Sequence, residues 1–351
     1  MNLTFVVSTG RAGSTLLSRM LHEHPDVLSV SEFFAVLQGV LRRNAYPGGE
    51  LDGAALWKLV SAPDPIADAL VRDGLASPEM FYPYATGRYR PQAGIPVICH
   101  STLSLLSEDP DGLLDVLAAE LPGWPRRSAA DQYRALFAFL AGHLGRPVVV
   151  ERSGGSLILV RLLRREFPEA RFVHMHRDGP DCALSMSKFP MFRLGIVTLR
   201  AALAAGLPAG STLAQIQAAL PDAYAGVLSP PYDLTGLAGL DIAPSVFGGI
   251  WSDMVTGGMA ALGALPTGTW SMLAYEDLLA DPAAELRRLA EFIGVAATPG
   301  WLAAAGALAD PVRAGAAARL DPAELGRLRD ACAPGMAAIQ AWQAKAAPAA
   351  G

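Results

Sequence analysis

The chain has 351 residues, 52% of them hydrophobic and 17% charged, and a formal net charge of −5. It can bury a sizeable core, which excludes a disordered chain. The acidic balance also excludes a general nucleic-acid binder, which needs a Lys/Arg surplus, so any anion site must be local.

The chain begins with the apolar, β-rich run Thr4 to Val7, then Ser8, Thr9, Gly10, Arg11, Ala12, Gly13, Ser14 and Thr15, then Leu16, Leu17, Met20 and Leu21 at helical spacing. This reads as strand, tight loop, helix. The first N–H groups of such a helix have no intrahelical partner and point at one place, where the helix dipole is positive. Gly10 and Gly13 allow close backbone approach, Ser14 and Thr15 add hydroxyls, and Arg11 adds a permanent charge. The loop is a candidate phosphate cradle. It is not the Gly-x-x-x-x-Gly-Lys-Ser/Thr loop, because Gly13 stands where that pattern needs lysine. The start lacks a basic, apolar leader, so a cytoplasmic protein is expected.

A second short strand, Val27 to Val30, leads to Glu32 and then a helix carrying Phe34, Leu37, Val40 and Leu41. Glu32 thus ends a strand, the side of a doubly wound sheet on which ligands lie. Residues 46–94, rich in Pro, Gly, Tyr and Asp, read as an insertion over the core. Ile95 to Cys99 reads as a strand with His100 at its end, followed by helices over Gly112–Leu121 and Ala129–Leu144. The β-branched run Pro147 to Arg152 suits a buried parallel strand, and a helix over Leu157–Phe167 follows. Arg171 to His176 is the next strand, and Arg177, Asp178, Gly179, Pro180 and Asp181 turn it into a helix bearing Leu184, Ser185 and Lys188.

Residues 195–240 read as a second, Ala-rich insertion. Then come a helix over Val246–Leu262, a strand over Thr269–Tyr275, a helix over Asp281–Phe292 and a tail helix over about 321–345 with a break near Pro334 and Gly335. The most apolar windows, Val246–Leu265 and Leu194–Leu207, are interrupted by Asp253 and Arg200, so neither is read as a membrane span. The cysteines, Cys99, Cys182 and Cys332, are odd in number and lack metal-ligand spacing; His174 and His176 alternate along a strand without an evident third ligand. No metal is expected. The strand–helix alternation predicts one α/β domain with a P-loop-like, doubly wound parallel sheet flanked by helices and carrying insertions.

With both strand–loop–helix elements in view, the chain resembles the sulfotransferases that use 3′-phosphoadenosine 5′-phosphosulfate (PAPS). In that family an early Arg/Lys-x-Gly-Ser/Thr-Thr loop holds the 5′-phosphosulfate, matched here by Arg11, Ala12, Gly13, Ser14 and Thr15. A later strand-Arg-Asp-x(6)-Ser element holds the 3′-phosphate, matched by Phe172 to Ser185 with Arg177 and Ser185 in the binding places. Met20, Leu21, His24, Pro25, Asp26 and Val27, followed by Glu32, resemble the tyrosylprotein sulfotransferases, whose catalytic glutamate falls at Glu32. Arg152 stands where those enzymes carry a lysine that assists transfer. Tyr275, Glu276, Asp277 and Leu278 resemble a segment whose tyrosine touches the nucleotide.

The resemblance implies PAPS as co-substrate, a hydroxyl acceptor that is a small molecule, lipid, glycan or peptide, Glu32 as base, and Arg11 and Arg152 as charge stabilisers. The histidine that cytosolic relatives place two residues after the lysine is here Gly154, which favours Glu32, with His100 as a rival base. Arg313 and Arg319 are the candidates for the basic segment that closes over the nucleotide in relatives. Two readings of other classes compete: a nucleotide-dependent phosphotransferase with an altered P-loop, and a non-catalytic nucleotide-binding protein.

Overall fold

In a computed structural model the chain is described over residues 2–38, 49–310 and 314–346. The main sheet draws its strands from across the sequence: β1 (Asn2–Val7), β2 (Val27–Ser31), β5 (Val148–Ser153), β6 (Arg171–His176) and β7 (Trp270–Ala274), in the order β2-β5-β1-β6-β7. Two short strands, β3 (Glu50–Leu51) and β4 (Arg127–Ser128), form a separate antiparallel pair. The β1–β5, β1–β6 and β6–β7 ladders are parallel. Helices cover both faces, as the alternating sequence pattern predicts.

β1 lies between β5 and β6 because its residues are apolar toward both faces. Val6 joins Val150, Val173, Met175 and Leu273 in a core closed by Leu17, Met20, Leu286 and Trp301. On the other face Phe5 meets Phe167 and Phe172, ring centroids 5.2 and 5.6 Å apart. The register pairs Val6 with Arg152 and Val7 with both Ser153 and His174. The loop after β1, the end of β5 and the end of β6 therefore emerge together at the carboxyl edge, where the chain goes to opposite sides of β1.

The chain divides into two compact units, one of residues 1–27, 146–188 and 241–351, the other of residues 28–145 and 189–240. The segments expected as insertions, 46–94 and 195–240, belong to the second unit. That unit has its own apolar cluster, built by Ile66, Leu70, Leu194, Val197, Leu228 and Leu234, and an aromatic group in which Phe33 meets Tyr133 and Phe137 edge-on at 5.4 and 5.0 Å.

Two local expectations are corrected. Ile95 to Cys99 is not a strand: the Ile95 N–H goes to the Asp68 carboxylate and the Val97 N–H to the Ala62 carbonyl, so no neighbouring strand takes them up. The chain continues into a π-helical turn, Cys99–Leu103, that carries His100. The tail helix, Pro322–Ala346, also runs through Pro334 unbroken. The Gly335 N–H is satisfied from outside the helix by Ser252 Oγ at 2.8 Å, and a Cβ at Gly335 would sit 2.6 Å from the Trp251 ring. Tertiary packing holds this helix together across its weakest point. The helix after β2 is described over Phe33–Gln38, so Val40 and Leu41 lie outside the described residues. No described helix is long and apolar enough to cross a membrane.

Candidate functional site

The loop after β1 contains three left-handed residues in four positions: Gly10 at φ 80°, Arg11 at 58° and Gly13 at 86°. Successive reversals of this kind turn backbone N–H groups to one side, the anion-binding nest. Helix Ser14–His22 follows, with Gly13 as N-cap, no side-chain cap and no acidic residue in its first turn. Its positive end is thus left uncompensated by its own side chains. Only glycine suits position 13, since a Cβ there would lie 2.1 Å from Tyr275 Cδ2.

Tyr275 links this loop to the second element. The guanidinium of Arg177 lies over its ring, 4.9 Å from the centroid, so one aromatic side chain touches both the Gly13 turn and Arg177. Helix Gly179–Ser187, capped by the Asp178 carboxylate on the Asp181 N–H, is laced directly to the first loop. Arg11 Nε donates to Ser185 Oγ at 3.3 Å, the Cys182 thiol donates to the Gly10 carbonyl at 3.3 Å, and Thr9 Oγ1 lies 3.6 Å from Cys182 Sγ. Arg11, Gly13, Arg177, Ser185 and Tyr275 are brought together within one unit. Cys182 was not among the expected site residues; its spacing three residues before Ser185, on one helix face, is the signal that links them. Burial pushes the thiol up to about 11, so it is neutral and acts as a hydrogen-bonding group.

Arg177 is 9% exposed, not the surface side chain that a charged residue after a strand commonly is. Its Nη2 meets Asp181 Oδ2 at 3.2 Å. Asp181, 3% exposed, also accepts the N–H groups of Gly315 at 2.6 Å and Ala317 at 2.7 Å. In this part of the C-terminal segment backbone amides make the contact. Arg319 is exposed and Arg313 lies outside the described residues. A cavity of about 320 Å³ opens here, lined by Asp178, Asp181, Glu276, Gly315, Ala317 and Arg329 among others. Burial raises the carboxyls of Asp178 and Glu276, while the Arg177 charge opposes the shift in both.

Arg152, at the carboxyl end of β5, is 1% exposed and donates from Nε to Ser18 Oγ at 2.8 Å, so its charge lies against the first helix. Its sequence neighbours Glu151 and Ser153 are also buried and bond to each other at 2.6 Å. Sequence reasoning missed Ser18, Glu151 and Ser153.

In the second unit Glu32 follows the end of β2, is 8% exposed and has φ 58°. Among the described residues, Arg11 and Glu32 are the non-glycine residues with positive φ. Backbone held in this region costs energy and concentrates at functional sites. His100 is 1% exposed, and its Nδ1 is engaged by the Tyr84 hydroxyl at 3.1 Å. It therefore does not stand at a strand end as an exposed base. His174 and His176 lie on β6 with ring centroids 5.6 Å apart. Among the described residues no group of three or more His, Cys, Asp or Glu side chains is arranged to hold a metal.

No family model matches the chain, and no curated protein sequence matches it. Among solved structures it is similar to the sulfotransferase domain from the curacin biosynthetic pathway, at 16% identity and TM-score 0.44, over 93% of this chain and 95% of that one. It is also similar to the sulfotransferase domain of the Synechococcus PCC 7002 olefin synthase, at 15% identity and TM-score 0.45, over 94% of each chain. A third is sulfotransferase STF9 from Mycobacterium avium, at 15% identity and TM-score 0.42, over 94% of this chain and 74% of that one.

Proposed function

We propose that the protein is a sulfotransferase that moves the sulfuryl group of PAPS to a hydroxyl acceptor and releases adenosine 3′,5′-bisphosphate. The observation that carries this reading is the junction of two candidate anion-binding elements far apart in sequence, made by the Arg11–Ser185 hydrogen bond and by Tyr275 lying between Gly13 and Arg177. A nucleotide with phosphates at both ends of its ribose calls for two such elements in one place. A single-ended nucleotide calls for one.

In this reading the nest of residues 10–13 and the uncapped first turn of helix Ser14–His22 grip the 5′-phosphosulfate, with Arg11, Ala12, Gly13, Ser14 and Thr15 as its binding residues. Arg177 and Ser185 take the 3′-phosphate, and Tyr275 supplies a ring beside the nucleotide. Arg152 cannot give up its proton, so its part is electrostatic: with Arg11 it offsets charge that builds on the phosphate as the sulfur–oxygen bond breaks. Glu32 serves as general base for the acceptor hydroxyl, whose oxygen forms the new bond to sulfur. Positioning and charge stabilisation supply the rate, as in phosphoryl transfer.

The test is calorimetric binding of adenosine 3′,5′-bisphosphate against adenosine 5′-monophosphate. The bisphosphate is expected to bind at least about tenfold tighter, a preference that collapses in Arg177→Ala. Glu32→Gln is expected to keep the affinity and lose sulfuryl transfer by roughly 10²-fold or more. Equal affinity of the wild-type protein for the two nucleotides would overturn the reading.

A further inference from the structure

The second unit holds a buried polar chain that the proposed transfer does not use. Asp68, on helix Pro65–Arg72, is 5% exposed, and His100, on the π-helical turn Cys99–Leu103, is 1% exposed. His100 Nε2 is buried with no hydrogen-bond partner, and Asp68 Oδ1 lies 3.6 Å from it. On the other side of the ring, His100 Nδ1 is 3.1 Å from the hydroxyl of the half-buried Tyr84.

The backbone around this chain is pinned. The His100 carbonyl accepts the N–H groups of Phe81 and Tyr82, which locks the approach to Tyr84 onto the π-helical turn. Ser104 Oγ donates to the Cys99 carbonyl, and Thr102 Oγ1 donates at 2.7 Å to the carbonyl of Ser31, the residue before Glu32. Turns of this kind are rare and recur at functional sites. Here the turn joins His100 to the backbone beside the proposed base.

The chain has a direction. A buried carboxylate near Nε2 favours the imidazole tautomer with its proton on that nitrogen. In that tautomer Nδ1 carries a lone pair and accepts from the Tyr84 hydroxyl. What remains at Tyr84 is its oxygen, a hydrogen-bond acceptor. Burial, with Asp68 and Tyr82 nearby, raises the phenol further, so it keeps its proton.

We propose that Tyr84 binds a second hydrogen-bond donor on the acceptor, next to the hydroxyl that reacts, so that the preferred acceptors are diols or catechols. His100 and Asp68 are positioning residues that turn the Tyr84 proton inward. The proposal rests on the sulfuryl-transfer reading for its biological sense and on the Asp68–His100–Tyr84 geometry for its chemistry. Tyr82, itself tied to Asp111 at 2.8 Å, meets Tyr84 edge-on at 5.6 Å and gives the neighbourhood an aromatic wall. A flat aromatic probe therefore suits the test.

Affinities of 2,3-dihydroxynaphthalene and of its monomethyl ether, 3-methoxy-2-naphthol, are measured by calorimetry on the full chain. The wild-type protein is expected to prefer the diol by about tenfold, the worth of one well-placed hydrogen bond. Tyr84→Phe, which keeps the ring, is expected to bring the two probes to parity. Asp68→Asn and His100→Gln are expected to narrow the preference. A purely structural role for the three residues would weaken both probes alike. Parity in the wild-type protein, no binding of either probe, or a preference retained in Tyr84→Phe overturns the proposal. Should adenosine 3′,5′-bisphosphate fail to bind while the diol preference holds, the sulfuryl-transfer reading falls and Tyr84 as a donor-selecting residue stands.

Discussion

Arg11 and Glu32 are the two non-glycine residues that the described fold holds at positive φ, both at 58°. Nothing in their side chains asks for that conformation, so the surrounding structure imposes it. Glycine at position 13 has a different ground: at φ 86°, with the Tyr275 ring where a Cβ would go, it is the residue that lets Tyr275 approach the loop. Gly13→Ala is therefore expected to destabilise the protein by roughly 1–3 kcal/mol and to weaken bisphosphate binding more than Ala12→Gly does. Urea unfolding and calorimetry on the two variants check this. Side-chain types were readable from the sequence. The backbone strain and the Tyr275 contact were not, because both depend on which distant segment closes against the loop.

Helix Gly179–Ser187 does several jobs at once. Asp178 caps it, Cys182 and Ser185 bind it to the first loop, and Asp181 ties Arg177 to residues 315 and 317. Removing the Asp181 carboxylate would leave a buried guanidinium and two backbone N–H groups without that acceptor. Asp181→Ala is thus expected to cost on the order of 3 kcal/mol of stability, read as a lower urea midpoint. If Asp181 also sets the reach of Arg177, bisphosphate affinity falls with it. The strand–helix pattern revealed this helix and its Ser185. The C-terminal partner stayed hidden because a backbone amide leaves no signature in residue type. Likewise Ile95 to Cys99 looks like a strand by its apolar residues, yet its N–H groups are taken by Asp68 and Ala62. A short apolar run becomes a strand only where a neighbouring strand accepts its amides.

Across the whole molecule a net charge of −5 leaves the cationic groups at the site as local exceptions. Stability toward acid should turn on the buried histidines of β6. Burial lowers His174 to about 3, with His176 beside it as a smaller cause, and lowers His176 to about 4, with Arg288 as the smaller cause. Their folded values lie below the unfolded value of 6.5, so between about pH 6.5 and pH 3–4 the unfolded chain binds more protons than the folded one. Stability contributed by the neutral rings is present above about pH 6.5 and is lost as pH falls through that window. The urea midpoint is expected to drop steadily over this range, and the drop is expected to be shallower in His174→Leu. An unchanged slope in that variant would mean that His174 does not titrate on unfolding.

By itself the sequence determined the α/β class, the strand–loop–helix elements and the residue types that can grip anions, because hydrophobic period, glycine placement and charge act over a few neighbouring positions. The tertiary structure alone decided that Arg11 reaches Ser185, that one tyrosine serves both loops, that Asp181 binds residues 315 and 317, and that His100 lies inside a π-helical turn between Asp68 and Tyr84. Those contacts join residues that local pattern does not relate. Which of them form depends on the order of strands in the sheet and on which buried polar groups find partners once the chain has closed.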